Sequence, residues 1–263
     1  MDLPYSARLP RAVGGTYLMS QPVKSILAID TATEDVVVGI SRGGEMLAES
    51  EIAPPEGERP RHSSALLAEI ERAVAAAGGW DEVGRIGIGV GPGTYTGLRI
   101  GISTGLTLAQ ARRLPAVAVG TLTALALGIA ERSGDRERSC LAALDARRQE
   151  LFVQLHDGAG GPITEPAVLD PPTLADWLAE TAGKGLADAT PGPLAAGSGA
   201  VRFRRELKAA GVEPLPGGDT AHRLAARHLC RLAAAMDASS DAPIRPIYLR
   251  EPDAKRWLER DRS

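Results

Sequence analysis

Aromatic residues are scarce in this sequence: Phe, Trp and Tyr together make up 3% of its 263 residues. Proteins that bind single-stranded RNA unaided stack bases on exposed aromatic side chains, so this mode of binding is not expected here. An excess of positive charge is also missing, since the formal net charge is −3. Backbone affinity for nucleic acid comes from clustered Lys and Arg. Both absences argue against a stand-alone RNA binder, and any contact with RNA is expected to need a partner.

Cysteine and long apolar runs are equally limited. Cys140 and Cys230 belong to no Cys-x-x-Cys or Cys/His pattern, so neither a disulfide framework nor a zinc site is expected. The longest mainly apolar stretch, residues 116–130, contains Gly and Thr and is shorter than the roughly 18 residues that a membrane-spanning helix needs. Residues 1–20 lack the apolar segment of a secretory signal. We predict a cytoplasmic protein without a membrane span.

A repeated α/β pattern is what the sequence does contain. Its length favours two domains. An apolar strand that ends at an acidic polar turn, followed by a second strand, occurs near residues 26–40 and again near 140–155. We predict two related α/β domains and two flanking segments. The first domain is predicted at 24–122 and the second at 123–240. The flanking segments are a flexible N-terminal extension at 1–23 and a C-terminal segment at 241–263 that packs back. Met19, within the extension, is an alternative start of translation.

Two polar turns are candidate phosphate-binding loops. The first follows the opening strand, where backbone N–H groups and Thr hydroxyls can hold a phosphate and a carboxylate can hold hydrated magnesium. The second joins a strand to a helix N-terminus, a favourable place for an anion, although it matches neither the P-loop nor the Rossmann fingerprint. The alternative for the first turn is ordinary closure by local hydrogen bonds. The alternative for the second is a tight turn that lets a helix pack closely on the sheet. The candidate residues are Asp30, Thr31, Thr33, Gly91, Gly93 and Thr94.

Small residues recur every four positions along the predicted helix 98–112, which places a stripe nearly free of side chains on one helix face. Since each Gly costs a helix about 0.8–1 kcal/mol relative to Ala, a compensating close contact is expected. That contact is either packing on the sheet of the same domain or a protein–protein interface, with the preceding helix 62–77 beside it. The predicted interface residues are Leu66, Ile70, Gly97, Gly101, Gly105 and Ala109.

A catalytic or metal centre is not predicted. His62 begins the helix 62–77, but Leu66 stands one turn later, so this helix does not offer two imidazoles on one face. The other histidines are scattered, and no nucleophile elbow is present. The turn Asp145-Ala146-Arg147-Arg148 either places charges at an interdomain cleft or is simply exposed.

The sequence resembles the TsaB (YeaZ) family of actin-like proteins. The matching stretches occur in family order, and Gly-Pro-Gly-Thr-Tyr-Thr-Gly-Leu-Arg, from Gly91 to Arg99, is the most specific. They are residues 26–33, 62–63, 91–101, 142–147 and 246–250. The resemblance implies two actin-like (ribonuclease H-like) α/β domains in a bacterial cytoplasmic chain. It also implies pairing with TsaD through the two helices of the first domain.

Further expectations come with the resemblance. In that family TsaD is the catalytic relative, which binds metal through an HxxxH helix and transfers threonylcarbamoyl to the tRNA adenosine beside the anticodon, and the ATPase TsaE completes the bacterial set. Leu66 in place of the second histidine implies that this chain has lost the metal site and catalysis with it. It would be a scaffold for TsaD, a homodimer when alone, reaching tRNA only through the complex. Ala32 stands where actin-like phosphate loops usually carry Gly, so no intrinsic cofactor is expected, with ATP and magnesium belonging to the complex.

Two alternatives from other classes remain. A stand-alone actin-like ATPase would use Asp30 and the glycine-rich loop on ATP and magnesium. A glycoprotease-like metallopeptidase would carry stoichiometric zinc or iron. Nucleotide binding and metal analysis of the isolated chain distinguish these alternatives from the scaffold.

Overall fold

The computed structural model describes residues 24–55, 62–181, 191–237 and 243–250, so the predicted extension at 1–23 lies outside the described residues. These residues form two five-stranded sheets with flanking helices. The first elements are β1 Ser25–Asp30, β2 Val36–Arg42, β3 Glu45–Ile52, α1 His62–Ala76, β4 Val83–Gly89, α2 Tyr95–Arg112, β5 Ala116–Val119 and α3 Thr121–Ser133. The remaining elements are β6 Cys140–Asp145, β7 Leu151–His156, β8 Ala167–Leu169, α4 Leu174–Thr181, β9 Leu194–Ala196, α5 Ser198–Arg202, α6 Arg204–Ala209, β10 Glu213–Pro214 and α7 Ala226–Ala235.

The first sheet has the strand order β3-β2-β1-β4-β5. Strand β1 is antiparallel to β2 and parallel to β4, so it lies at the centre with neighbours on both sides. Its residues Leu27, Ala28 and Ile29 are fully buried. A strand covered on both faces reads as a continuous apolar run, which explains why this segment does not alternate.

The second sheet repeats this topology. Its order is β10-β9-β6-β7-β8, with β6 antiparallel to β7 and parallel to β9. Counted from β6, the second sheet therefore has the same strand order as the first sheet counted from β1. The predicted α/β class with two related actin-like domains is confirmed.

Two helices lie between the sheets and correct the predicted domain boundaries. Helix α3 packs on β6, β7 and β9, whereas α7 packs on β1, β2 and β4, and both contribute to one core cluster. A Cβ atom added at Gly39 would lie 2.6 Å from the Cβ of Ala226, and one added at Gly87 would lie 2.7 Å from that of Ala233. These glycines let α7 approach the first sheet. The first domain thus comprises β1–β5, α1, α2 and α7, and the second comprises α3–α6 and β6–β10.

The described part of the C-terminal segment, residues 243–250, lies against the first domain. The backbone N–H of Ile247 donates to the carbonyl of Val90 at 2.8 Å, and Ile244 packs beside it on the apolar core under α1 and α2. Among the described residues, no helix is long and apolar enough to cross a bilayer.

Candidate functional site

The two predicted phosphate loops meet at the carboxyl ends of β1 and β4. Asp30 ends β1 with 1% of its surface exposed. Its Oδ1 accepts a 2.6 Å hydrogen bond from the N–H of Ala32, and its Oδ2 accepts one of 2.6 Å from the Thr121 hydroxyl. The Thr121 oxygen in turn accepts from the N–H of Gly91 at 3.1 Å. Asp30 is therefore an internal brace that connects both loops to the start of α3.

The environment of Asp30 corrects its predicted role as a magnesium ligand. Burial raises the pKa of this carboxyl to about 6, and the hydrogen bonds from Thr121 and Ala32 offset only part of that effect. Both carboxyl oxygens already have a protein donor. A hydrated cation needs oxygens that face solvent, and those of Asp30 do not.

Thr31 explains why the first two residues of the small-residue stripe on α2, here called the glycine stripe, carry no side chain. Its side chain is buried and its hydroxyl donates a 2.7 Å hydrogen bond to the carbonyl of Gly97. A Cβ atom added at Gly97 would overlap the Thr31 carbonyl oxygen, and one added at Gly101 would overlap the Thr31 hydroxyl. The missing side chains thus make room for the turn after β1.

The second half of the stripe packs on the sheet. A Cβ atom added at Gly105 would lie 2.7 Å from the Cδ1 of Ile88 and 3.1 Å from the Cδ1 of Ile29. All six predicted interface residues are buried within the first domain: Leu66, Ile70, Gly97, Gly101, Gly105 and Ala109. The prediction that these residues form a partner surface is therefore wrong, because the stripe serves the approach of α2 to its own sheet.

A cleft with a cavity of about 370 Å³ opens between the two domains. Three of the six predicted loop residues line it, namely Thr33, Gly93 and Thr94, whereas Asp30, Thr31 and Gly91 do not. Its apolar wall is formed by Leu125, Leu144, Phe152, Val201 and Leu224. Its charged rim is formed by Glu34, Asp35, Asp145, Arg147 and Arg223.

The arginines of the rim are paired with carboxylates across the cleft. Arg147 of the second domain pairs with Glu34 of the first. The Nε of Arg223 lies 2.9 Å from the Oδ2 of Asp35. A polyphosphate would have to displace a carboxylate to reach either guanidinium, so the rim is not prepared for one. The turn at Asp145 lies at the interdomain cleft, and Arg147 and Arg148 within it are also exposed, so the two placements considered for it do not exclude each other.

His222 also lines the cleft, but both of its ring nitrogens are engaged. Its Nδ1 accepts from the N–H of Gly197 at 3.1 Å, so the proton resides on Nε2, which donates to the carbonyl of Pro216 at 2.8 Å. An imidazole held in this way has no nitrogen left to act as a general base.

A second groove lies on the outer face of α2. Tyr95, Leu106 and Tyr248 are 48%, 39% and 45% exposed, and a cavity of about 390 Å³ lies beside Leu106 and Tyr248. The Tyr95 and Tyr248 rings are 5.3 Å apart, and the Arg99 guanidinium lies 5.3 Å over the Tyr95 ring. Sequence reasoning missed these residues because it followed the small-residue stripe. The signal in the sequence that could have identified this groove was the set of larger residues on the opposite face of the same helix.

Among the described residues, no three His, Cys, Asp or Glu side chains are close enough to hold a metal ion. The side chain of His62 lies outside what the structure describes, whereas Leu66, one turn later, fills the core.

Two sheets of the same strand order around a cleft define an actin-like α/β protein. Two solved structures from Pseudomonas aeruginosa are similar to it. A protein described as similar to peptidase YEAZ has a TM-score of 0.66 and 28% identity, covering 86% of this chain and 100% of that chain. YeaZ has a TM-score of 0.63 and 26% identity, with the same coverage.

Sequence relatives point to the same family. A family model described as "TsaD: tRNA N6-adenosine threonylcarbamoyltransferase" matches residues 47–168. TsaB of Escherichia coli is 35% identical over 128 residues, which are 48% of this chain and 52% of that protein, so the match spans about half of the relative. An uncharacterized Mycobacterium tuberculosis protein is 30% identical over 239 residues, 89% of this chain and 95% of that one. The chain belongs to the TsaB (YeaZ) family.

Proposed function

We propose that this chain is a non-catalytic scaffold subunit needed for threonylcarbamoylation of the tRNA adenosine beside the anticodon, and that it binds and stabilises TsaD together with TsaE. Three relatives named "tRNA threonylcarbamoyladenosine biosynthesis protein TsaB" support the pathway. The scaffold would act in the cytoplasm, as a homodimer when TsaD is absent.

The exposed outer face of α1 and α2 carries the partner-binding part of the proposal. Leu67 on α1 is 52% exposed, and Tyr95, Arg99 and Leu106 stand on the side of α2 that faces away from the sheet. Exposed apolar groups that gather on one surface mark interaction sites. Tyr and Arg are enriched in protein interfaces. This face is the one left free after the glycine stripe has packed inside.

The proposed lack of catalytic activity is supported by residues whose side chains already make contacts within the chain. Leu66 occupies the core where the catalytic relative is expected to carry a metal-binding histidine. Asp30 and His222 use their polar atoms internally. The arginines of the cleft rim are paired. We therefore assign ATP and magnesium to the assembled complex, and contact with tRNA to the complex as well.

Co-purification with TsaD from the same organism, read by size and mass, tests the proposal. Leu106→Glu places a charge in the outer groove and is expected to weaken the complex about tenfold or more. Ile163→Glu is the matched control, because Ile163 is 45% exposed, close to the 39% of Leu106, but lies in the second domain. If wild-type protein gives no complex even with TsaE and nucleotide present, the scaffold role is wrong. If Leu106→Glu binds as well as Ile163→Glu does, the surface is wrong.

One second candidate, a stand-alone ATPase, rests on the loop residues that line the interdomain cleft. Thr33, Gly93 and Thr94 line a cavity of about 370 Å³. Calorimetric titration of the isolated chain with ATP and magnesium distinguishes the two functions. Tight binding would favour the ATPase, and stoichiometric zinc or iron in protein purified without chelator would favour the metallopeptidase.

A further inference from the structure

The described C-terminal segment, residues 243–250 and here called the strap, contacts both domains. At the first domain, the N–H of Ile247 donates to the Val90 carbonyl at 2.8 Å, directly before the glycine-rich loop. The ring of Tyr248 packs on that of Tyr95, the first residue of α2, with centroids 5.3 Å apart. The strap therefore forms part of the outer face on which a partner would dock.

The far end of the strap reaches the second domain through Arg250. Its Nη1 donates to the carbonyl of Ala146 at 2.6 Å, and its Nε lies 3.0 Å from the Oε2 of Glu150. The side chains of Arg250 and Glu150 are 22% and 27% exposed. The contact with Ala146 is a hydrogen bond from a charged donor, which is stronger than a neutral one, whereas the contact with Glu150 is an ion pair. Arg250 thus holds both ends of the turn that joins β6 to β7.

The turn between β6 and β7 has an unusual backbone. Arg147, Arg148 and Gln149 have φ angles of 65°, 51° and 65°. Residues with side chains adopt this left-handed region singly, rarely in succession. Such a conformation persists where surrounding contacts fix it, and the strap supplies two of them through Arg250.

The same turn forms the rim of the interdomain cleft. Arg147 reaches from it across the cleft to Glu34 of the first domain. The strap, the turn and the ion pair therefore form a continuous path from Tyr248 on the outer face to Arg147 in the cleft. Arg223 and Asp35 make a separate pair across the cleft that does not involve the strap.

We propose that the strap couples the outer face of α2 to the interdomain cleft. A partner chain that covers Tyr95 and Tyr248 fixes the strap, and Arg250 then fixes the turn that carries Arg147. Coupling between two sites is reciprocal, so the state of the cleft also changes affinity at the outer face. The identity of the partner rests on the proposed function, whereas the coupling within the chain does not.

The interdomain distance in the isolated chain is the direct test. Spin labels on Glu45→Cys in β3 and Asp176→Cys in α4 report the separation of the domains by pulsed electron paramagnetic resonance. Both positions are exposed. The native Cys140 and Cys230 are buried and are expected to stay unlabelled.

Arg250→Gln and Tyr248→Ala release opposite ends of the strap. Each is expected to broaden the distance distribution about twofold, because the cleft then samples open states. Tyr248→Phe keeps the ring and Arg245→Gln removes a charge elsewhere in the strap, so both are expected to match wild type. Wild-type distributions for Arg250→Gln and Tyr248→Ala would overturn the proposal.

Trypsin provides a second readout, because Arg147 and Arg148 are cleavage sites within the turn. Loss of the Arg250 contacts is expected to speed cleavage there about fivefold or more, mapped by mass spectrometry. Circular dichroism checks that each variant is folded. Unchanged cleavage in folded Arg250→Gln would also overturn the coupling.

Addition of TsaD tests the connection to the partner. TsaD is expected to narrow the wild-type distribution and to leave that of Arg250→Gln broad. Equal narrowing of both would overturn the coupling. Absence of any TsaD binding would instead count against the proposed function, and the measurements on the isolated chain would still decide whether the strap couples its two ends.

Discussion

The hydroxyl of Thr31 lies in the notch that Gly97 and Gly101 leave open on α2, with a 2.7 Å hydrogen bond to the carbonyl of Gly97. This contact fixes the turn after β1 against the helix after β4. It also explains why a helix tolerates glycines that each cost about 0.8–1 kcal/mol. The close packing of α2 on the sheet compensates for this cost in helix stability.

Gly101→Ala is expected to destabilise the protein by about 1–3 kcal/mol, because the new Cβ overlaps the Thr31 hydroxyl. Thr31→Ala removes that hydroxyl, so the double variant is expected to be more stable than the sum of the single effects by about 1 kcal/mol. Urea unfolding of the four proteins measures this coupling. Thr107→Ala, on the exposed side of α2, is the control and should change stability by less than about 0.5 kcal/mol. Additive effects would contradict the contact.

Acid is expected to destabilise the protein through two buried histidines. Burial lowers the pKa of His156 and of His228 to about 4. Between pH 6.5 and 4 the unfolded chain binds protons that the native state does not, so stability falls as the pH is lowered, by on the order of 1–3 kcal/mol per histidine. Urea midpoints measured from pH 7 to 4.5 check this. His156→Leu is expected to lose less stability over that range than wild type, and an identical slope would contradict the assignment.

Asp30 is expected to act in the opposite direction. Because burial raises its pKa from 3.8 to about 6, the native state binds a proton in this interval while the unfolded chain does not. The contribution of Asp30 to the free energy of unfolding therefore increases as the pH falls from 6 to 3.8. Asp30→Asn should remove this pH-dependent contribution to stability. Its one side-chain oxygen can accept from Ala32 or from Thr121 but not from both, so at pH 8 it is expected to cost less stability than Asp30→Ala. Asp30→Ala should cost about 1–3 kcal/mol, because Ala32 and Thr121 lose their acceptor. Equal losses for both variants at pH 8 would contradict the brace.

Much of the fold could be predicted because the sequences of the central strands indicate that both faces of these strands are buried. The runs in β1 and β6 are apolar without alternation, and each ends at an acidic turn before a second strand. The helix predicted at 62–77 corresponds to α1 His62–Ala76, and that at 98–112 to α2 Tyr95–Arg112. Local periodicity was sufficient for these elements.

Contacts between distant segments could not be predicted in the same way. Helical spacing shows that one face of α2 is small, but it does not say whether the neighbour is Thr31 or another protein. The pairing of Asp35 with Arg223 joins residues 188 positions apart, and the contact of Gly39 with Ala226 assigns α7 to the first sheet. A single sequence carries no direct signal for either pair.

The return of α7 to the first sheet leads to a last prediction at its C-terminus. Arg85 of β4 donates from Nη1 to the carbonyls of Ala233 and Met236, both at 2.7 Å. Carbonyls at a helix end lack partners within the helix, and a cationic donor there also favours the helix dipole. Arg85→Met keeps an unbranched side chain as far as the ε position but removes the guanidinium donor, so it is expected to destabilise the protein by about 1–3 kcal/mol.

Hydrogen exchange distinguishes this mechanism from a general loss of packing. In Arg85→Met the amides of α7 should exchange about tenfold faster while those of α4, in the second domain, change little. Arg205→Met removes an exposed arginine from α6 and is the control for charge, with an expected effect below about 0.5 kcal/mol. Uniform acceleration in both domains would mean that Arg85 supports the whole core, and unchanged exchange in α7 would mean that its last turn does not depend on Arg85.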